Sequence, residues 1–295
     1  MKGIILAGGT GSRLHPATAA MSKQLLPVFD KPMIYYPLTT LMLAGIREFL
    51  VIATPEDLPR FRHLLGDGAR WGLGIGYAGQ AEPRGIAEGL MIGEAFLGGD
   101  SVGFALGDNL VFGHGLSSRL QRAAAELGGA TIFAHPVDRP QDYGVVTLDG
   151  GGRVLNLVEK PTNPTSSLAV IGLYMYDGDV CRHARDLRPS ERGELEITDV
   201  NRGYLGRGNI RCEVLGRGMA WLDAGTPYGL HEASSFVSVV ERRQGLKIGC
   251  PEEVAWRMGF VDDDGLVAAA ASLPAGTYRE YVLSLPHRDV ADASS

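Results

Sequence analysis

Cysteine is scarce. The 295-residue chain has three, Cys181, Cys212 and Cys250, far apart and in no CxxC or zinc-like spacing. That leaves no local metal-binding pair and suits a reducing cytoplasm. Excess positive charge is also missing. A net charge of −6 argues against a nucleic-acid binder that relies on broad phosphate attraction, although a few local Arg and Lys can still hold a triphosphate. No apolar run approaches the length of a transmembrane helix. The start, Met1 to Ala7, has one positive charge and an apolar run cut short by glycines, so no signal peptide is expected. Neither an internal repeat nor a clear interdomain linker is visible. What is present, 45% hydrophobic and 21% charged residues, suits a soluble globular protein. The length allows one large α/β domain or two small ones.

Strand and helix signals alternate from the N-terminus. Gly3 to Ala7 reads as a buried first strand ending in glycines. Leu38, Leu41, Met42 and Gly45 fall at helical spacing, and Phe49 to Ala53 reads as a second strand. Pro55 to Leu65 reads as a helix, Ile75 to Ala78 as a short strand, Ile86 to Leu97 as a helix and Val102 to Leu106 as a strand. Leu116 to Leu127 follows as a helix and Thr131 to Ala134 as a strand. This alternation predicts a mainly parallel sheet flanked by helices, an α/β Rossmann-like arrangement. Tyr143 to Leu148, Val154 to Val158 and Val170 to Tyr176 then read as strands joined by short turns, with Asp149-Gly150-Gly151-Gly152 as a hairpin signal. The sheet is therefore expected to be mixed. Leu230, Ala233, Val237 and Val240 mark a later helix. The stretch from about Asp262 gives no clear element, and the final residues are expected to fray.

Leu6-Ala7-Gly8-Gly9-Thr10-Gly11-Ser12-Arg13-Leu14 follows the first strand directly. Glycines let backbone N–H groups approach a phosphate, though such a loop alone is often just a tight turn. A P-loop lysine is missing. A dinucleotide-binding loop needs a third glycine where Leu14 stands. Asp30 sits at a tempting distance for a ribose, but Pro16 and Pro27 leave little room for the intervening helix and strand. Arg13 and Lys23 flank the loop; each alone reads as a solvated surface charge, while together they suit a triphosphate.

The run Lys2 to Gly9, Arg13-Leu14, Ser22-Lys23-Gln24-Leu25-Leu26-Pro27 and Lys31-Pro32-Met33-Ile34-Tyr35-Tyr36-Pro37 resembles the sugar-1-phosphate nucleotidyltransferase family, in particular its glucose-1-phosphate thymidylyltransferases. So do Leu106-Gly107-Asp108-Asn109, Tyr143-Gly144-Val145-Val146, Glu159-Lys160-Pro161, the run Gly193 to Asn201, and Trp221-Leu222-Asp223. The order and spacing fit over roughly residues 1 to 255. The resemblance implies a Rossmann-like fold of the nucleotide-sugar transferase type and a cytoplasmic homotetramer. The pattern of elements along the chain reads as an α/β domain over 1–240 with a helical appendage and tail over 241–295.

The resemblance also implies chemistry. A phosphate oxygen of a hexose 1-phosphate attacks the α-phosphorus of dTTP in line, and pyrophosphate leaves. Asp108 and Asp223 are assigned to Mg²⁺, which prefers one or two carboxylates plus phosphate oxygens and water. Either aspartate alone would read as a turn or cap residue. Arg13 is assigned to the leaving pyrophosphate and Lys23 to the triphosphate and attacking phosphate. Leu6, Gly8, Gly9, Thr10, Gly11, Gln80, Gly85 and Asp108 are the expected nucleotide contacts, with Gln80 on the base and Gly85 giving it close access to the backbone. Asn109, Tyr143, Gly144, Glu159, Lys160 and Val170 are the expected sugar-phosphate contacts. Trp221 reads either as lining the sugar site or, in preference, as core with an exposed edge, His15 as structural, and the cysteines as buried or inert.

Two departures stand out. Where the family carries Gln-Pro-x-Pro, an acid and Gly-Leu-Ala-Gln, this chain has Gln80-Ala81-Glu82-Pro83-Arg84-Gly85-Ile86-Ala87-Glu88. Arg84 replaces the acid and Glu88 the amide, a reversal that bears on dTTP against UTP. Ile171 stands where the family commonly has Thr, and an apolar branch there is expected to alter which sugar is accepted. Two other readings compete: an NAD(P)-dependent oxidoreductase, disfavoured by the missing glycine, and a non-catalytic nucleotide-sugar sensor, which has no need of the full phosphoryl-transfer set.

Overall fold

The computed structural model describes residues 1–9 and 11–287. Thr10 and the expected fraying of the last residues lie outside the described residues.

The first strand, Lys2–Leu6, is central because both of its faces are apolar. Ile5 packs into one core cluster with Phe49, Val51 and Leu38, while Ile4 and Leu6 enter the opposite one with Leu50, Ile52 and Phe104. Period-2 alternation with no polar face is what a parallel sheet covered on both sides requires. Lys2–Leu6 pairs in parallel with Glu48–Ala53 and Val102–Leu106, and Glu48–Ala53 pairs in parallel with Gly74–Gly79. Beyond Val102–Leu106 the sheet turns antiparallel through Leu168–Tyr176, Gly144–Leu148 and Val154–Glu159. Ala130–Pro136 and Ile210–Val214 complete a nine-stranded sheet. The fold is thus a mixed, mainly parallel α/β sheet.

The expected helix over 86–97 is split into Glu88–Ile92 and Glu94–Leu97. Gly93 lies between them, where a Cβ would come 2.4 Å from Ile4 Cδ1, so the break lets the chain pack closely on the first strand. Sequence periodicity missed the helices Val180–Arg185 and Ile197–Gly206. It also missed a two-stranded antiparallel ribbon outside the main sheet, formed by Asn109–Gly113 and Met219–Asp223. That ribbon sets Asp223 directly opposite Asn109 and so fixes the site.

The helix Pro227–Gln244, capped by the Thr226 hydroxyl accepting from the Gly229 N–H at 3.1 Å, spans position 240/241 where the sequence reading divides the chain. After Asp262 the chain is ordered as helices Asp263–Ala271 and Thr277–Ser284, the first capped by Asp262 on the Gly265 N–H at 2.9 Å. Leu266, Ala270, Tyr281 and Val282 form a small core with Cys250. All three cysteines are free. Burial pushes the Cys212 thiol up to about 12, and raises those of Cys181 and Cys250 as well. No helix among the described residues is long and apolar enough to cross a membrane.

Candidate active site

The strand Lys2–Leu6 delivers the chain into the glycine loop at the sheet's C-terminal edge, the usual ligand crevice of such folds. Gly9 and Gly11 have φ of 118° and 59°, conformations that side-chain-bearing residues rarely adopt. A 3₁₀ turn, Ser12–Leu14, then presents Arg13, and a second, Lys23–Leu25, presents Lys23. Asp108 follows the neighbouring strand Val102–Leu106. Its Oδ2 accepts from Lys23 Nζ at 2.5 Å and its Oδ1 from Asn109 Nδ2 at 3.1 Å.

Asp223 arrives from the ribbon, and the turn after it closes the group. The Gly225 N–H donates to Asp223 Oδ1 at 2.9 Å. A Cβ on Gly225 would lie 2.9 Å from Asp108 Oδ2, 2.9 Å from Asp223 Oδ1 and 3.1 Å from Arg13 Nη2. Two carboxylates and a guanidinium therefore face one small space that only glycine leaves open. Burial opposes the Asp108 charge, but the Lys23 ammonium and the Asn109 amide outweigh it and hold that carboxyl below its usual range. Asp223 goes the other way: burial and the Asp108 charge push its carboxyl up, against the Gly225 N–H, Arg13 and Lys23. The pair is short of positive charge. Among the described residues no cluster of three or more His, Cys, Asp or Glu forms a cation cage. Two carboxylates that each border a cavity instead suit Mg²⁺, which takes its remaining ligands from phosphate and water.

On one side of this group lies a cavity of about 380 Å³ lined by Leu6, Gly8, Gly9, Gly11, Arg13, Lys23, Gln80, Gly85, Asp108 and Gly225. Every described nucleotide candidate is thus brought together. Gln80 reaches in from the end of Gly74–Gly79, and Gly8 exists to let it: a Cβ there would meet Gln80 Oε1 at 2.2 Å. Gly85 lines the cavity, but its lack of a side chain serves a different end from the one expected. With φ of 115° it lies against the backbone of Leu195, whose N and O a Cβ would approach to 2.5 Å. Arg84 and Glu88 form a close ion pair at 2.6 Å beside Gln80, so the reversed charges satisfy each other. Asp30 does not line this cavity; it is ion-paired with Lys31 and Lys247, which removes the ribose ligand that a dinucleotide fold needs.

On the other side lies a larger cavity of about 1130 Å³, sharing Arg13, Ile86, Leu106 and Glu194 with the first. Asn109, Tyr143, Gly144, Glu159, Lys160 and Val170 all line it. Glu159 Oε2 accepts from the Thr198 hydroxyl at 2.5 Å, and a Cβ on Gly144 would crowd both groups at 3.1 Å. Lys160 is exposed and held in the left-handed region at φ 43°, with its N–H donating to the Tyr143 carbonyl at 3.0 Å.

Trp221 packs against the core with an exposed edge, and that edge lines this cavity, edge-on to Tyr143 at 5.1 Å, with Nε1 donating to Asn109 Oδ1 at 2.6 Å. One expectation is overturned, that for Ile171. Val170, Gly172 and Tyr174 face the cavity, whereas Ile171 is fully buried in the core on the opposite face of the strand. The Thr-to-Ile departure therefore does not touch the sugar, and the expectation of an altered sugar loses its basis. Arg192 was not singled out from the sequence. It lines the cavity, pairs with Glu196 at 2.9 Å and lies 3.8 Å from Glu159. Its position immediately before the Gly193–Asn201 motif was the available signal.

The sequence profile of the Nucleotidyl transferase family matches residues 2–239, and the chain belongs to that family. It is 54% identical over 98% of its length to all of a glucose-1-phosphate thymidylyltransferase of Mycolicibacterium smegmatis. A Mycobacterium tuberculosis protein of the same name is 55% identical, with 98% of this chain and 100% of that one covered. Among solved structures, a putative glucose-1-phosphate thymidylyltransferase from Bacillus anthracis in complex with a sucrose is 38% identical. It superposes with a TM-score of 0.74 over 80% of this chain and 94% of the other. A UDP-glucose pyrophosphorylase complexed with UDP-glucose, 24% identical, shares the fold with a TM-score of 0.72 over 81% and 98%.

Proposed function

We propose that this nucleotidyltransferase moves a thymidylyl group from dTTP to glucose 1-phosphate, giving dTDP-glucose and pyrophosphate, with Mg²⁺ as cofactor. The observation that carries the reading is the convergence of Arg13, Lys23, Asp108 and Asp223 at the junction of two cavities. One cavity has the glycine loop and an amide suited to a pyrimidine, and the other has Glu159, Lys160 and Tyr143. Relatives named for this activity at more than half identity support the same choice of substrates.

The reaction joins two anions, so neutralisation comes first. Lys160 takes the phosphate of the sugar, and Glu159, oriented by Thr198, accepts from sugar hydroxyls. Lys23 stands where the incoming phosphate oxygen meets the α-phosphorus. A new P–O bond forms as the bond to the bridging oxygen of the β-phosphate breaks. The charge released onto pyrophosphate is met by Arg13. Asp108 and Asp223 would hold Mg²⁺, and the ion would supply positive charge to the phosphate oxygens. A cytoplasmic homotetramer belongs to this reading, the compartment from the sparse, unpaired cysteines and the assembly from the family resemblance; light scattering tests the assembly.

Pyrophosphate release measured across nucleoside triphosphates and sugar 1-phosphates is the direct test. Activity is expected with dTTP and glucose 1-phosphate and to vanish with EDTA. No pyrophosphate from any pair sinks the reading. Gly8→Ala is expected to raise the KM for dTTP about tenfold with the KM for glucose 1-phosphate unchanged, because the added methyl displaces Gln80.

A further inference from the structure

Glu88 is a buried carboxylate between an arginine and a glutamine: it is 4% exposed, and Gln80 5%. Its two oxygens have different side-chain partners. Oε1 accepts from Arg84 Nε at 2.8 Å and Nη2 at 2.6 Å. Oε2 accepts from Gln80 Nε2 at 2.8 Å and from the Arg84 backbone N–H at 3.3 Å. A carboxylate paired with a guanidinium only accepts hydrogen bonds. Gln80 must therefore turn its NH₂ toward Glu88 and its carbonyl oxygen the other way. That oxygen lies over Gly8, on the wall of the nucleotide cavity.

We propose that Glu88, held by Arg84, fixes the polarity of the Gln80 amide and so selects a pyrimidine that carries a proton at N3. The proposal deepens the thymidylyl-transfer reading and rests on it. Thymine and uracil present N3–H, which the Gln80 oxygen accepts. Cytosine presents an unprotonated N3, so two acceptors meet and neither is paired, a costly arrangement in a buried site. Glu88 and Arg84 are positioning residues: they act on the base only through Gln80.

The donor–acceptor logic makes a reversal testable. In Glu88→Gln, Arg84 claims the oxygen of the new amide, whose NH₂ then faces Gln80. Gln80 answers with its oxygen and presents NH₂ to the base. Adding Arg84→Glu turns the new amide round, because the acid takes its NH₂, and the original polarity of Gln80 returns.

The experiment measures kcat/KM for dTTP and dCTP, at saturating glucose 1-phosphate, in the wild type, Glu88→Gln and Arg84→Glu/Glu88→Gln. The single variant is expected to lower the dTTP-to-dCTP ratio by about a hundredfold, through the nucleotide KM, with the KM for glucose 1-phosphate unchanged. The double variant is expected to return the ratio to within about tenfold of wild type. A merely structural role would weaken both nucleotides together and would not be rescued. The proposal fails if the single variant keeps the wild-type ratio or the double variant discriminates no better than the single. If the single variant does not fold, the double variant decides alone: a retained ratio supports the proposal and a lost ratio overturns it. A wild type that yields no pyrophosphate from dTTP brings down the thymidylyl-transfer reading and this proposal together. A wild type active on dTTP isolates any failure to the role of Glu88.

Discussion

Asp223→Asn is expected to leave the metal-free protein more stable and the enzyme nearly inactive. Burial and the neighbouring Asp108 charge both oppose the Asp223 charge, and only the Gly225 N–H and two cations help it. An asparagine keeps the Oδ1 acceptor for Gly225 and removes the repulsion. In EDTA a gain of about 2 °C in Tm is expected. With Mg²⁺ present the order reverses, because the wild type gains stability from a cation that the variant holds poorly. The kcat is expected to fall by about a thousandfold, as for loss of a major group that stabilises transition-state charge. Asp108→Asn should lose activity similarly but destabilise the apoprotein by about 1–2 kcal/mol, because it strips a partly buried ammonium, Lys23, of its counter-charge. Thermal melts with and without Mg²⁺, beside pyrophosphate release, check both. Two variants shifted in the same direction in EDTA would show that the carboxylates are not the opposed pair described. Such a trade of stability for function is common where like charges are gathered for a ligand.

Local sequence made the nucleotide lobe legible because its parts are short and consecutive. An apolar five-residue strand, a glycine loop and two nearby cations announce themselves within residues 2–25. Asp108 follows a buried strand, but alone it reads as a turn or cap residue, and the family resemblance is needed to place it at the metal. The ribbon that brings in Asp223 was not legible. Its two strands are short and far apart in the chain, and pairing over such a separation leaves no periodic trace in either. The split at Gly93 was hidden too, since it answers the closeness of Ile4 rather than anything in the helix itself. The Ile171 error had a different origin and was avoidable. Val170 was placed at the sugar, and neighbours on a strand point to opposite faces. Ile171 had to face the core once Val170 faced the cavity. Glu88 shows the converse: a family departure that reads as damage in the sequence becomes, with Arg84, a closed set of hydrogen bonds.

Arg13→Met is expected to lower kcat by about a thousandfold while leaving Tm and the KM for dTTP nearly unchanged. Among the described residues Arg13 has no ion pair or hydrogen-bonded partner, and it is exposed on a 3₁₀ turn at the cavity mouth. Little of the fold depends on it, so its loss should not unfold the protein. Yet its Nη2 faces the same small space as Asp108 and Asp223, and it lines both cavities. Before reaction the triphosphate charge is spread along the chain of phosphates and partly screened by Lys23. As the bond to the β-phosphate breaks, negative charge gathers on the leaving oxygens, and a fixed guanidinium there gains most at that moment. A group that binds the transition state more tightly than the ground state appears in kcat rather than KM. Arg13→Lys should recover part of the rate, since it restores the charge but not the two-pronged geometry. Steady-state kinetics on the two variants, with a melt on each, test this. A tenfold rise in KM at constant kcat would mean that Arg13 holds the nucleotide before reaction instead of stabilising the departing pyrophosphate.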